Sequence, residues 1–169
     1  MAGDWMRITR EWSMPNHNTF SIKPIRDFIG DVPSHSLDPF ARYSELAAIT
    51  NDLNPDCPTN YNMDAHDFLK TFRDEWADMI LFDPPYSLRQ LKECYDGLGM
   101  AMTQHESKHF FSDLKNEISR ITKPGGIVIS FGWNTVGIGK SRGFEIEDIL
   151  LVSHGGIHND TICMKERKL

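Results

Sequence analysis

The chain has 169 residues, 40% hydrophobic and 25% charged, which is the composition of one ordinary globular domain with its own core. A formal net charge of −6 excludes a uniformly basic, nucleic-acid-coating surface. Cys57, Cys94 and Cys163 are odd in number and without CxxC spacing, which argues against a disulfide framework or a zinc site and for a reducing cytoplasm; no run approaches the roughly 18 apolar residues of a membrane span, and residues 1–12, which lack an apolar core, are not expected to act as a secretory signal.

Residues 1–18 are polar and aromatic, with Trp5, Trp12 and a turn at Met14-Pro15-Asn16. They are expected to form an extension that drapes on the domain or swaps to a second copy, the domain proper being 19–169. Ile22, Ile25, Phe28 and Ile29 recur at helical spacing, with Pro24 suited to a first turn and Gly30 and Pro33 as stops. Residues 35–40 read as a short strand ending in a turn, and 46–50 form a further apolar run that leads into a loop at 51–55. A helix is predicted from Ala65 to Phe72. Residues 77–82 form the best buried strand, running into Asp83-Pro84-Pro85-Tyr86. An amphipathic helix, Phe110 to Ile121, ends at the breaker Lys123-Pro124-Gly125-Gly126, and 127–131 is another buried strand. Residues 145–152 and 161–164 form a terminal antiparallel pair, joined by a polar tip that carries His154, His158 and Asn159.

Strands alternating with helices at this spacing predict an α/β fold, an open and mostly parallel sheet with a C-terminal antiparallel hairpin. Ligands of such sheets sit beyond the carboxyl ends of the strands. Asp38, Asp64 and Asp83 each finish an expected strand end, and Asp52 follows the Ile49-Thr50 run. Acids gathered at one rim suit a ligand rich in donors, such as a nucleoside.

Asp83-Pro84-Pro85-Tyr86 carries the most specific signal. The prolines fix the backbone, the carboxylate accepts only, and the tyrosine gives a flat stacking face. Together they form a clamp for a planar amine. The plain alternative is a strand-end turn capped by Asp83; the following tyrosine and the preceding buried strand favour the clamp.

These residues resemble the strand-4 motif of S-adenosylmethionine-dependent DNA adenine-N6 methyltransferases, especially the small phage and prophage enzymes. The resemblance covers roughly residues 19–165. Thr19, Phe20 and Ile22 match the segment that closes over the methionine end of the cofactor. Asp38-Pro39-Phe40-Ala41 matches the first cofactor motif, and Arg42-Tyr43 stand where glycines are expected. Asp52, with Asn54, stands at the ribose-binding acid, and Asp64-Ala65 where the cofactor's adenine is bound. Residues 123–126 match the turn before strand 5.

The resemblance implies a single Rossmann-like class I methyltransferase domain that binds S-adenosyl-L-methionine and methylates the N6 amine of adenine in DNA. Asp83 and the Pro84 carbonyl would accept the amine N–H bonds while Pro85 fixes the turn and Tyr86 stacks on the base. A base in a duplex would have to be flipped out. No separate target-recognition domain is apparent; residues 87–108 are the stretch available for that task, which implies low or degenerate specificity. Two alternatives stand beside this reading: a methyltransferase of the same fold acting on RNA or a free nucleotide, and a non-catalytic partner subunit.

Residues 87–143 carry a local excess of three positive charges against an excess of nine negative ones elsewhere. Lys108, Lys140 and Arg142, with His158 and Asn159, are candidate contacts to DNA, or to single-stranded DNA or RNA; a solvated face is the alternative. His154 and His158 have no third ligand nearby, so no metal is expected. Trp133 is assigned to packing ahead of base stacking. No membrane partner is expected, and a homodimer stays open.

Overall fold

The computed structural model describes residues 6–169, so Trp5 lies outside the described residues. Among them, seven strands form one sheet: β1 (Arg7–Trp12), β2 (Ser36–Asp38), β3 (Ile49–Thr50), β4 (Ala77–Phe82), β5 (Thr122–Gly132), β6 (Phe144–Ser153) and β7 (Thr161–Lys168). The helices are α1 (Lys23–Ile29), α2 (Ala65–Lys70), α3 (Leu88–Gly97) and α4 (Gln104–Ile121), with 3-10 turns at Thr19–Ser21 and Lys140–Arg142. The sheet order is β1-β6-β7-β5-β4-β2-β3. β7 runs antiparallel to β5 and β6, and every other pair is parallel. This is the α/β sheet with a C-terminal hairpin that the sequence predicts.

The buried strands read as continuous apolar runs because both sheet faces are covered. In β4, Ile80 and Phe82 join a core with Phe68 of α2, Leu91 of α3 and Leu114 and Ile118 of α4. Met79 and Leu81 join the opposite core with Ile25 and Ile29 of α1 and Ile129 of β5. Burying one such leucine or isoleucine contributes about 1.5–3 kcal/mol. Two cores clamp β4 between them and give the residues after Phe82 a fixed starting point.

Several expectations change. Residues 123–126 are no free turn: α4 ends at Ile121 and β5 starts at Thr122, with a register shift between the Ala77↔Thr122 and Met79↔Ile127 pairs. α4 begins two turns earlier than Phe110, because Thr103 and Glu106 form a reciprocal capping box. Residues 87–108 contain α3, capped by the Ser87 hydroxyl, which accepts from the Gln90 N–H. Asp64 does not end a strand; it is the N-cap of α2, accepting from the His66 N–H at 2.9 Å. Part of the N-terminal extension is the sheet's outer strand, β1.

The topology sets one working rim. The carboxyl ends of β2, β4, β5 and β6 point the same way, and because β7 is antiparallel, the tip at residues 154–160 rises at that rim too. The turn at Lys140–Arg142 precedes β6 and lies toward the opposite end.

Candidate active site

Two loops build one wall. After β2, the chain turns at Pro39–Ser44, with Ala41 N–H donating to Asn51 O and Asn51 N–H to Asp38 O, both at 2.9 Å. Arg42 takes the left-handed conformation, φ 53°, so the turn that a glycine would make is still made. Its guanidinium reaches the His17 carbonyl at 3.4 Å. After β3, the Asp52 carboxylate accepts from Arg42 N–H (3.0 Å) and Asn54 N–H (2.9 Å), tying the two loops together. Asn51, fully buried, staples a third segment: its amide donates to Pro39 O and Met63 O and accepts from Met63 N–H.

β4 and α3 build the other wall. Pro84 is buried, while Asp83, Pro85 and Tyr86 are half-buried. The Tyr86 hydroxyl donates to Asp83 Oδ1 at 2.7 Å. The Tyr86 N–H donates to Gln90 Oε1 at 2.8 Å, so the first turn of α3 holds the motif from below. Trp133, just past β5, meets the Tyr86 ring edge-on at 5.4 Å between centroids. The ring is thus fixed through its hydroxyl, its backbone and one edge.

Between the walls lies a cleft of about 760 Å³, within the usual range for small-molecule and cofactor sites. A smaller recess of about 210 Å³ opens between residues 16–20 and 40–44, sharing Thr19, Phe40, Arg42 and Asp83 with the main cleft. Carboxylates of Asp52, Asp83 and Glu93 line the main cleft, and Arg42 and His17 are its basic residues. Burial raises the Asp83 carboxyl above its ordinary 3.8, partly opposed by the Tyr86 and Thr19 hydroxyls and the Arg42 charge. Asp38 is fully buried, with Oδ1 accepting from Phe40 N–H at 3.1 Å and Oδ2 without a partner. Desolvation holds its carboxyl well above the ordinary value.

Of the residues read from sequence, Thr19, Pro39, Phe40, Asp52, Asn54, Ala65, Asp83, Pro84, Pro85 and Tyr86 line the main cleft. Phe20 and Ala41 line the recess. Ile22 is buried in the α1 core and Asp38 lies beneath the loop that follows it. Asp64 is turned to internal work, since the Tyr95 hydroxyl donates to its second oxygen. Lys108 is exposed in the second turn of α4, and His158 and Asn159 are exposed at the rim. Lys140 is exposed away from that rim. Arg142 is a structural fork: it donates to Asn116 Oδ1, Ile138 O and the Ser112 hydroxyl, fastening its turn to α4.

Sequence reasoning noted Arg42 as standing in a glycine's place and Trp133 as a packing residue, without their contacts to His17 O and Tyr86, and missed Asn51 and Gln90 as site-building residues. Ser87-Leu88-Arg89-Gln90 reads as a helix start once the cap spacing is noticed; Arg42 and Asn51 show no such pattern. His154 is also internal, its ring nitrogens bonded to Ser13 O and Thr161 Oγ1. Among the described residues, no group of three or more His, Cys, Asp or Glu could hold a metal ion, and no helix is long and apolar enough to cross a membrane.

No family model and no curated protein matches the sequence. Solved structures do share the fold. TrmN from Thermus thermophilus superposes with a TM-score of 0.58 at 18% identity, over 87% of this chain and 48% of its own. The 1,6-didemethyltoxoflavin-N1-methyltransferase of Burkholderia thailandensis, solved with 1,6-didemethyltoxoflavin and S-adenosylhomocysteine, gives 0.53 at 12% identity, over 86% of this chain and 75% of its own. The yhhF protein of Escherichia coli gives 0.50 at 12% identity, over 93% and 91%. This chain therefore spans about half the length of TrmN, and what it shares with all three is the Rossmann-like fold.

Proposed function

We propose that the chain transfers a methyl group from S-adenosylmethionine to the exocyclic N6 amine of adenine in DNA. The observation that carries the reading is the Asp83–Tyr86 clamp, fixed at the carboxyl end of β4 and facing a cleft of about 760 Å³. The S-adenosylhomocysteine in the Burkholderia methyltransferase of the same fold supports the cofactor.

The residues present fit an adenosyl donor. Asp52, held by two backbone N–H groups, has lone pairs left for a ribose diol. Phe40 and Ala65 supply apolar wall for a purine. Thr19, Phe20 and Arg42 line the recess suited to the methionine end. Asp38 Oδ2, under this loop, has no hydrogen-bond partner, as expected where a ligand or water completes the bonding. When bound, the donor supplies an electrophilic sulfonium methyl.

The protein's own task is to make a poor nucleophile attack. The adenine amine delocalises its lone pair into the ring. Asp83 and the Pro84 carbonyl accept its N–H bonds and favour a pyramidal nitrogen with its lone pair free. Tyr86 stacks on the base, and its hydroxyl orients the Asp83 carboxylate. Asp83, raised above its ordinary range by burial, is suited to receive the proton that the amine loses.

The test is incubation with labelled S-adenosylmethionine and DNA, RNA or free nucleotides in parallel, followed by nucleoside mass spectrometry. N6-methyladenine in the DNA arm is the expected product. Label confined to RNA or nucleotides reassigns the substrate, N4-methylcytosine alone overturns the base, and no transfer in any arm leaves the partner-subunit reading.

A further inference from the structure

β1 is an unfinished edge. It pairs with β6 from Arg7↔Asp148 to Trp12↔Ser153, and its other side has no partner among the described residues. All six of its residues are exposed. Alternate residues share a face, so Met6, Ile8 and Trp12, which are 46%, 56% and 62% exposed, lie in one row with Arg10 between the last two. Proteins commonly blunt open edges with proline, charged side chains (lysine above all), bulges or very short strands; the charges on β1 are Arg7, Arg10 and Glu11, and the first and last are of opposite sign on one face. Residues 7–12 contain no proline or lysine, and the β1–β6 register runs without a shift. The opposite edge of the sheet is managed: β3 has two residues, and Asn60 and Tyr61 hydrogen-bond to Thr50.

The strand's sequence selects what fits against it. A two-fold axis normal to the sheet pairs residues that point to the same face, so it must run through one residue and its mate. Placed through Thr9, it sets Arg7 opposite Glu11 of the second copy and the reverse. Thr9 meets Thr9, Ile8 meets Arg10 and Met6 meets Trp12. One face then carries two ion pairs flanking a threonine pair, and the other carries two Met–Trp contacts flanking two Ile–Arg pairs. Placed through Ile8, the axis yields no ion pair; placed through Arg10, it opposes two arginines. Cross-strand ion pairs and threonine pairs stabilise, and opposed like charges destabilise. Neither Arg7 nor Glu11 has an ion-pair partner among the described residues.

We infer that β1 is a homodimer edge, with two copies pairing their β1 strands antiparallel about a two-fold axis through Thr9. The sheet becomes continuous across the two copies. The axis reverses strand direction, so the two clefts open at opposite ends and neither copy enters the other's site. The inference is therefore independent of methyl transfer.

Sedimentation of the full chain is expected to show a concentration-dependent dimer. Arg7→Glu and Glu11→Arg each set like charges opposite in both pairs and weaken association by on the order of tenfold or more. The double variant exchanges the pairs and restores the dimer. Thr9→Cys yields a disulfide-linked dimer on mild oxidation, because directly opposed strand residues lie about 4.5–5.5 Å apart, within disulfide reach. The unmodified chain, with its exposed Cys94, sets the background. A chain that is monomeric at every concentration overturns the inference, as does a dimer that neither charge reversal weakens. If a charge variant fails to fold, the Thr9→Cys link decides alone, and its absence counts against the edge.

Discussion

The Tyr86 hydroxyl donates a 2.7 Å hydrogen bond to Oδ1 of Asp83, three residues back across Pro84 and Pro85. The motif is therefore one unit rather than a carboxylate and a separate stacking ring. The bond occupies one lone pair of Asp83, leaves the others for an amine, and favours the carboxylate over the acid in a site where burial pushes the other way.

Asp83 and Tyr86 are expected to fail differently. Asp83→Ala lowers single-turnover methyl transfer by about 10²–10³-fold, while calorimetry shows cofactor binding intact, because Asp52 lies on the opposite wall. Tyr86→Ala removes the stacking face and costs about 1–3 kcal/mol of base binding. A ring that only stacked would let Tyr86→Phe retain most activity. With the hydroxyl bonded to Asp83, the Phe variant instead binds the base normally and transfers more slowly at neutral pH. Base binding lost in Tyr86→Phe would contradict this division.

The same bond fixes the sign of a pH effect. Asp83 works as a carboxylate, so activity is lost as pH falls through its raised pKa. Tyr86→Phe removes a contact that favours the charged form, so its rate profile moves to higher pH and part of the rate returns in alkali. Single-turnover rates across pH for both proteins check this; superimposable profiles would separate the hydroxyl from the titration.

Stability carries a second pH signature, from Asp38. Its native carboxyl is held well above 3.8 by burial, so the native state binds the proton more tightly than the unfolded chain does. The stability this lends is fully present below the unfolded-state value and is lost as pH rises through the native one. Asp38→Asn keeps an acceptor for Phe40 N–H and cannot ionise. Its melting temperature is expected to fall less with rising pH across that window than that of the unmodified protein, a comparison made by calorimetry at matched ionic strength.

How much of this was legible in sequence depends on whether a residue's task leaves a pattern. β4 is readable because six largely buried residues run straight into two prolines, and the clamp is readable for the same reason. α3 is not, since Leu91 and Tyr95 are its buried residues, too few to show a period. The first two turns of α4 are hidden likewise, because buried apolar residues start at Phe110; only the Thr103–Glu106 cap announces them. Asp64 shows the opposite failure. An acid after an apolar run reads as a ligand, yet its oxygens face His66 N–H and the Tyr95 hydroxyl, and that contact spans 31 residues. β1 stays unread because it buries nothing and Arg10 breaks the alternation of Met6, Ile8 and Trp12.

Arg142 and Lys108 look alike in sequence and should separate cleanly. Arg142 donates to Asn116, Ile138 and Ser112, a planar fork that an ammonium cannot reproduce. Arg142→Lys is expected to lower unfolding free energy by about 1–3 kcal/mol and to leave nucleic-acid affinity of the folded protein unchanged. Lys108→Glu should do the reverse: stability changes by about 0.5 kcal/mol or less, while binding weakens and its salt dependence becomes shallower. Urea unfolding and binding titrations at two salt concentrations distinguish them. If Arg142→Lys folds normally and binds poorly, the fork also contacts the nucleic acid.

Arg42 offers a test of the glycine loop itself. Its φ of 53° is a conformation that side chains tolerate poorly, and it occurs where the resembled enzymes carry glycine. In a helix or strand, glycine is less stable than alanine; here the order should invert. Arg42→Ala keeps the strained backbone and loses the bond to His17 O, whereas Arg42→Gly loses the same bond but relieves the strain. The Gly variant is expected to be the more stable of the two by about 1 kcal/mol, read as the difference in urea midpoints at equal slope. Arg42 N–H donates to Asp52 in either variant, so the loop connection that shapes the cleft persists. Alanine matching or exceeding glycine would mean that the loop relaxes out of the left-handed turn, and Asp52 would then lose its Arg42 N–H donor.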